Sequence, residues 1–422
     1  MLVLIIPLVA AAPARATWSV ILIDQRTGEI GVASATCLTG FDLAAFLPVI
    51  RVGVGAACAQ SLVDQSSLNR RRIRTGFING DSPDEILAFI LSEDTQFRRR
   101  QYGIVDSLGN AATYSGTANG RYAGGVIGRD GNITYAIQGN VLTGAPVIEA
   151  AEQAVLNTFS DLPAKLMAAM EAARSMGGDG RCSCSVADPT ACGSPPPSFT
   201  KSADVGFLYL SRRGDTDGLC NATVGCATGN YFLKLNIANQ QTADPDPVLQ
   251  LQEQFDAWRE SRVGVPDAII TPAFVVPRQV IGPGAATLRV ELCDWDFNAA
   301  TIYDGITVQH DPAGSAGIAE IGEVQSLGNG VFRVPLTSDG GIGRDRFLIT
   351  VSVGGKVRDV LLMPSPTWTH ANPACDLDDD GDVDPFDLKI VLDNFGNGKV
   401  ADVDGDNDTD LADLVEMLRQ LY

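Results

Sequence analysis

The chain has 422 residues, 45% of them apolar, and a formal net charge of −20. That length is a prior of about three domains, the apolar share excludes a disordered chain, and no internal apolar run reaches the ~18 residues of a membrane span. So acidic a chain lacks the basic face of a nucleic-acid binder, and with both of its histidines, His310 and His370, in the last third, imidazole catalysis and His-ligated zinc are excluded from the first two thirds. Met1 to Ala12 is almost wholly apolar, and Ala14-Arg15-Ala16 follows as a small-x-small pattern. Residues 1–16 are therefore expected to be a secretory signal cleaved after Ala16. No Lys or Arg precedes the apolar stretch, and a buried first strand is the other reading.

Thr17 to Asp24 and Glu29 to Ala35 read as strands around the turn Asp24-Gln25-Arg26-Thr27-Gly28. Val52 to Ala59 reads as a further buried strand. Ser82-Pro83-Asp84-Glu85 opens a helix: Ser is the N-cap, Pro enters the first turn, and Glu follows three residues after the cap. Gln101 to Asp106 and Ala111 to Ser115 flank a Ser-Leu-Gly-Asn turn. Helices are expected at about Pro146 to Phe159 and Pro163 to Met176. Strands Val205 to Ser211 and Tyr231 to Ala238 bracket part of a Cys-rich insertion, and a last helix runs from about Pro247 to Arg262. Hairpins with paired helices predict an α+β region, residues 17–262, of stacked sheet and helix layers. Arg70-Arg71-Arg72 and Arg98-Arg99-Arg100 read either as solvated faces or as an anion site.

Five of nine cysteines crowd the insertion at about 181–200 and 212–230: Cys182, Cys184, Cys192, Cys220 and Cys226. Spacings without a histidine fit no common zinc pattern, and secretion favours disulfides over metal. An odd total leaves at least one thiol unpaired.

From residue 266 to 368 the helical period disappears. Short alternating runs recur at Ala273 to Val276, Thr287 to Leu292, Gly305 to Gln309, Gly330 to Pro335, Arg346 to Val353 and Val357 to Met363. They predict an all-β sandwich of immunoglobulin type, acting as a spacer or contact surface. Residues 373–422 then hold 15 Asp and Glu against 3 Lys and Arg, so −12 of the charge lies here. Asp376, Asp378, Asp380, Asp382 and Asp387 stand at positions 1, 3, 5, 7 and 12 of one loop, with Gly381 at position 6. Asp402, Asp404, Asp406, Asp408 and Asp413 repeat the pattern, with Asn407 at position 6. Hard oxygens at this spacing predict two EF-hand-type calcium loops, each followed by a helix. An acidic disordered tail would predict neither the spacing nor the repeat.

Two such loops with Asp at position 12 resemble a type I dockerin, a small all-α module that docks onto cohesin domains of a scaffold or cell-surface protein. The resemblance implies a cohesin-type partner. Positions 10 and 11, Pro385-Phe386 and Leu411-Ala412, depart from the Ser/Thr pairs of many cellulosomal dockerins.

Cleavage after Ala16 would make Thr17 the first residue. A free α-amine has a pKa near ~7.7–8.0, so an amino-terminal Thr carries its own base and needs no histidine. Thr17-Trp18-Ser19-Val20, Thr27-Gly28-Glu29-Ile30-Gly31, Arg51-Val52-Gly53-Val54-Gly55 with Gln60, Arg100-Gln101, and Gln138-Gly139-Asn140-Val141-Leu142 resemble the family known as domain of unknown function 1028. Gly177-Gly178-Asp179-Gly180-Arg181, Lys201-Ser202-Ala203 and Asp246-Pro247 extend the likeness. That family is placed in the Ntn-hydrolase superfamily. The resemblance implies a four-layer αββα sandwich with Thr17 as nucleophile. Asn140 is the first candidate oxyanion donor; Gln60 and Ser202 follow, each with a structural hydrogen bond as the rival role. Thr36-Cys37 stands where many members have Ser followed by Lys or His, leaving Arg51 as the basic residue that could tune the amine. The function expected is a secreted or cell-surface-attached amidohydrolase tethered through a calcium-dependent dockerin. The alternatives are a non-catalytic assembly module and a component of a polysaccharide-degrading complex.

Overall fold

The computed structural model describes residues 17–354 and 358–421; the expected signal, residues 1–16, and Val357 lie outside the described residues. The chain divides into two compact units, one ending at Trp258 and the other starting at Arg259. Both combine antiparallel sheets with few helices, a mixed α+β architecture. No helix among the described residues is long and apolar enough to cross a membrane.

The first unit runs β1 (Thr17–Asp24), β2 (Glu29–Thr36), α1 (Leu43–Phe46), β3 (Pro48–Arg51), β4 (Gly55–Ser61), α2 (Leu68–Asn79), α3 (Pro83–Glu93), β5 (Arg100–Asp106), β6 (Ala111–Ser115), β7 (Ala123–Asp130), β8 (Ile133–Asn140), α4 (Pro146–Asn157), α5 (Leu162–Ser175), α6 (Gly180–Ser183), β9 (Val205–Ser211), β10 (Leu233–Ile237), then α7 (Pro247–Glu260). Six strands pair in the order β10-β9-β2-β1-β8-β7 and four in the order β3-β4-β5-β6. The period of two splits β1 between two cores. Trp18, Val20 and Leu22 pack against α4, α5 and α7, whereas Ile21 and Ile23 face Ile50, Ala56 and Val105 of the smaller sheet. A third core joins Ala57 and Ile104, on the far face of that sheet, to Ile73 and Phe77 of α2 and Ile86 and Ile90 of α3. Burial of both faces is why β1 reads as a nearly unbroken apolar run.

The capping box at Ser82 and Glu85 forms as expected. The stretch from Val52 to Ala59 is corrected: β4 starts at Gly55, and Arg51 to Val54 is a turn. The Val54 N–H donates to the Arg51 carbonyl at 3.0 Å, and Gly53 takes a left-handed φ of +71°. Apolar residues disguised that turn. Helix α2 gave no start signal because Ser67, at its N-cap, makes no side-chain capping bond. Edge strand β7 is Gly-rich, with weak strand propensity.

All five clustered cysteines are in disulfides: Cys184–Cys192, Cys220–Cys226, and Cys182 with the distant Cys37. Cys58, Cys293 and Cys375 are free thiols.

The second unit runs β11 (Ala273–Val276), β12 (Gln279–Ile281), β13 (Pro283–Glu291), β14 (Gly305–His310), β15 (Glu320–Ile321), β16 (Gln325–Gly328), β17 (Val331–Asp339), β18 (Gly343–Ser352), β19 (Val360–Leu361), β20 (Thr367–Ala371), α8 (Pro385–Asp393) and α9 (Leu411–Leu421). One sheet has the order β11-β13-β17-β15 with β16 on β17; the other has β12-β20-β18-β14 with β19 on β18. Leu288, Val290, Val334 and Leu336 from the first meet Phe347, Ile349, Val351 and Trp368 from the second in one core. A smaller core gathers Ala371, Cys375, Val383, Val391, Ala401, Val403 and Met417. Leu392 of α8 and Val415 of α9 lie outside this core and are exposed. Asp413 and Met417, four apart, take the inward positions of α9, because Asp413 folds back onto its own loop.

Candidate functional site

At one end of the layer between the two sheets of the first unit, apolar packing gives way to hydroxyls and carboxamides. Alternation sends Thr17 and Ser19 to the same face as Ile21 and Ile23, toward the smaller sheet. Thr17 opens β1 and lies opposite Asn140, the last residue of β8. Its hydroxyl donates to the Thr36 hydroxyl, at the end of β2, over 3.2 Å. Gln60 on β4 donates to the Thr17 carbonyl at 3.1 Å and to Gln101 Oε1 at 2.7 Å, and accepts from Ser19 Oγ at 2.7 Å. Gln101 on β5 donates to the Gly139 carbonyl at 2.8 Å and to Ser115 Oγ at 2.7 Å. Gln138 donates to Ser19. It fits because residue 103 is glycine: a Cβ there would lie 2.0 Å from Gln138 Oε1. The Asn140 carboxamide donates to Ser61 Oγ at 3.3 Å, and Ser61 donates in turn to Asn119. All of these side chains but the half-buried Ser115 are buried, Thr17 at 3% exposure. In so dry a place every polar group needs a partner, so the carboxamides hold one another in fixed orientations.

Three of the four residues expected at a catalytic centre, Thr17, Gln60 and Asn140, are thus side by side. Ser202 belongs to a different cluster. Its hydroxyl donates to Asp246 Oδ2 at 2.8 Å, just before α7, and Arg174 lies 3.5 Å from that carboxylate. Arg51 is ion-paired with Asp217, whose other oxygen accepts from the Val52 N–H at 3.0 Å, so it braces the β3–β4 turn. Cys58, beside Ser19, is no competing nucleophile: burial pushes its thiol up to about 12, so it stays protonated at neutral pH. Gln101 and Thr36 were named from sequence only within family motifs, not as site residues; a polar residue at a strand's inward position was the signal available.

Beyond Thr36 the backbone is clamped. The Cys37 N–H donates to Asp179 Oδ2 at 2.7 Å, Asp179 pairs with Arg181 at 2.8 Å, and Cys37 is bonded to Cys182 on α6. Asp204 donates its N–H to the Thr36 carbonyl at 2.9 Å and pairs with Lys201 at 2.7 Å.

The second cluster is acidic. Asp376, Asp378 and Asp387 bring carboxylate oxygens within 4.8 Å of one another, and so do Asp402, Asp404 and Asp413. The loops share one geometry. Asp387 accepts from the Leu377 and Asp384 N–H groups at 2.6 and 2.8 Å; Asp413 accepts from Val403 and Asp410 at 2.6 and 2.7 Å. Asp376 accepts from Gly381, and Asp402 from Asn407, at 3.2 and 2.9 Å. Gly381 and Asn407 both take left-handed φ, +96° and +82°. Asp380, Asp382, Asp406 and Asp408 are exposed along the outer arcs. Desolvation, then neighbouring carboxylates, raise the pKa of Asp378, Asp382 and Asp404; for Asp408 the main cause is Asp406. Asp376 Oδ1 is buried without a hydrogen-bond partner among the described residues. An orphaned carboxylate oxygen inside a ring of crowded anions fits a hard divalent cation.

Residues 17–187 match a family described as a family of unknown function, DUF1028. A crystal structure from Silicibacter pomeroyi assigned to the same family aligns at 19% identity over 57% of this chain and 85% of that one, with a TM-score of 0.43. An adhesin from Yersinia pseudotuberculosis aligns at 14% identity over 24% of this chain and 26% of that one, with a TM-score of 0.19. No curated protein matches the chain.

Proposed function

We propose that the first unit is an Ntn-type amide hydrolase, an αββα sandwich in which Thr17 is both nucleophile and base once residues 1–16 are removed. The observation that carries this reading is the place of Thr17: first in a central strand, at the polar end of the inter-sheet layer, bonded to Thr36 and lacking imidazole. The freed α-amine takes the Oγ1 proton, directly or through one water, as Oγ1 attacks the substrate carbonyl. The Asn140 carboxamide, on the residue paired with Thr17 across β1 and β8, would turn from Ser61 to donate to the developing oxyanion. The C–N bond breaks, the proton passes to the leaving amine, and water then hydrolyses the Thr17 ester. Gln60 positions the Thr17 backbone through its carbonyl; Ser202 shapes the start of α7 through Asp246.

In the same proposal the second unit is an immunoglobulin-type spacer followed by a dockerin-like module. Asp376, Asp378, Asp380, Asp382 and Asp387 would hold one calcium ion, and Asp402, Asp404, Asp406, Asp408 and Asp413 a second. The ions supply charge neutralisation that lets the loops close, and the closed module presents a face to a cohesin-type domain outside the cell. A non-catalytic assembly role is the second reading, for a chain in which residues 1–16 stay attached and Thr17 keeps its 3% exposure.

Amino-terminal sequencing of the secreted protein tests the first reading. A chain starting at Thr17, labelled there by an electrophilic probe and unlabelled as Thr17→Ala, is the expected result. A different mature terminus, or equal labelling of wild type and Thr17→Ala, overturns it.

A further inference from the structure

The ladder between β7 and β8 is interrupted beside Thr17. Ala123 pairs with Asn140, yet Tyr122 exchanges hydrogen bonds with Leu142: its N–H donates to the Leu142 carbonyl at 3.3 Å, and the Leu142 N–H donates to the Tyr122 carbonyl at 3.1 Å. Val141 is thus one extra residue on the β8 side, a β-bulge of the kind that recurs next to active sites and re-aims a single group. It takes a left-handed φ of +54°, and it is the one β-branched residue with positive φ among the described residues. Branching at Cβ makes that conformation costly, so the surroundings must impose it.

The segment that leads into α6 does so. The Gly180 N–H donates to the Val141 carbonyl at 3.1 Å, and the Thr143 N–H donates to the Gly178 carbonyl at 3.2 Å. The same segment carries Asp179 and Cys182, which hold Cys37 behind Thr36. One clamp therefore fixes both neighbours of Thr17, Thr36 at the end of β2 and Val141 after β8. Held so, Val141 is 7% exposed, and its side chain joins none of the apolar cores of this unit. Its N–H makes no hydrogen bond among the described residues. A buried N–H without an acceptor is rare, and an oxygen of a ligand would complete it.

Asn140 and Thr17 are cross-strand partners. Their Cα atoms therefore stand roughly 5 Å apart, and the Val141 nitrogen, one peptide unit further on, lies within about 8 Å of the Thr17 Cα. A carbonyl bonded to Thr17 Oγ1 reaches that far. We propose that the Val141 N–H is a backbone oxyanion donor of the Thr17 site. The inference rests on Thr17 as nucleophile and adds the group that meets the charge. As Oγ1 attacks, its proton passes to the α-amine, the Oγ1–C bond forms, and the carbonyl π pair moves onto oxygen, where the Val141 N–H receives it. When the tetrahedral carbon collapses, the pair returns to the carbonyl and the leaving group departs with the proton. This donor is already outside the ladder, whereas Asn140 must first leave Ser61.

The test uses the full chain beginning at Thr17 and an aliphatic β-lactone, which acylates a nucleophilic hydroxyl through a tetrahedral oxyanion. In one variant the Asn140–Val141 peptide bond is made an ester by incorporating the α-hydroxy analogue of valine, so that the N–H is lost and the side chain kept. Acylation of Thr17 is expected to slow by at least about 100-fold. The melting temperature should stay unchanged, because no hydrogen bond goes with that N–H. The same ester at Leu142, whose N–H is bonded to Tyr122, should lower the melting temperature and spare acylation. Should the Val141 ester fail to fold, the wild-type acyl-enzyme decides: its crystal structure should place the new ester carbonyl oxygen about 2.9 Å from the Val141 nitrogen. Unchanged acylation in the Val141 ester, equal slowing in the Leu142 ester, or a carbonyl oxygen more than about 3.5 Å from that nitrogen would each overturn the proposal while Thr17 stands as nucleophile. Wild type left unlabelled at Thr17 would overturn the nucleophile itself, and this donor with it.

Discussion

Gln60 joins both sheets of the first unit through three hydrogen bonds, to the Thr17 carbonyl, Gln101 and Ser19. Its truncation strands three buried partners, and a buried group left unpaired costs about 1–3 kcal/mol. Gln60→Ala should therefore lower the stability of the first unit by about 3 kcal/mol, read by chemical denaturation; a change under ~1 kcal/mol would mean that water replaces the carboxamide. Asp345 is the counterpart in the second unit. Both histidines of the chain face it: His370 Nε2 lies 2.9 Å from Oδ2 and His310 Nδ1 3.4 Å from Oδ1. Burial alone would raise its pKa, but the Ser315 hydroxyl, the Ala319 and Gly317 N–H groups and His370 outweigh burial and hold it below the ordinary value. A depressed carboxyl pKa stabilises the fold above the unfolded value, near pH ~4, and that stability is lost as pH falls through the folded value. Thermal melts of wild type should drop through this acid range. Asp345→Asn should be weaker at neutral pH, by about 3 kcal/mol, and should lose its share of the acid-dependent drop. An unchanged pH profile would show that Asp345 does not govern acid unfolding.

Among the elements, the disulfides differ most in what they constrain. Cys37–Cys182 closes a separation of 145 residues, Cys184–Cys192 one of 8. In the chain-entropy model the first is worth about 5 kcal/mol and the second about 2.5 kcal/mol. Cys37→Ser with Cys182→Ser should therefore lower the melting temperature about twice as far as Cys184→Ser with Cys192→Ser. Equal shifts would mean that local packing, not loop closure, sets the effect. The long bridge also anchors the end of β2, where Thr36 accepts from Thr17, so its loss should reduce labelling of Thr17 as well as stability. At helix α8, Asp384 is the N-cap and Asp387 the third residue of a capping box. Asp387→Ala thus removes a capping-box partner along with a proposed cation ligand, whereas Asp376→Ala removes a proposed ligand and the hydrogen bond it accepts from the Gly381 N–H.

At the scale of the molecule, the dense negative charge is concentrated in residues 373–422. The proposed module should take up two calcium ions per chain, with the first loop the tighter, since Gly381 adopts left-handed φ at less cost than Asn407. Titration calorimetry of the full chain should show two sites, one of them lost in Asp376→Ala. Chelator should selectively increase proteolysis of residues 373–421, because metal binding and loop closure are one equilibrium. Two sites persisting in Asp376→Ala, or resistance unaffected by chelator, would count against calcium there.

Local pattern alone determined a good share of this. Strands such as Thr17–Asp24 and Val205–Ser211, the helix capped by Ser82, and both acidic loops were legible because each rests on spacing within a dozen residues. The turn at Arg51 to Val54 and the helix Leu68–Asn79 were not, since apolar residues and a missing cap carry no boundary signal. Thr17, Gln60 and Asn140 could be singled out one by one, but only the packing of two sheets puts Gln60 against Thr17 and sends Ser202 to Asp246. The partner of Cys182 was likewise decided by the tertiary structure. Periodicity sets which face of a strand is inward; long-range pairing sets what it faces, and that is not a local property of the chain.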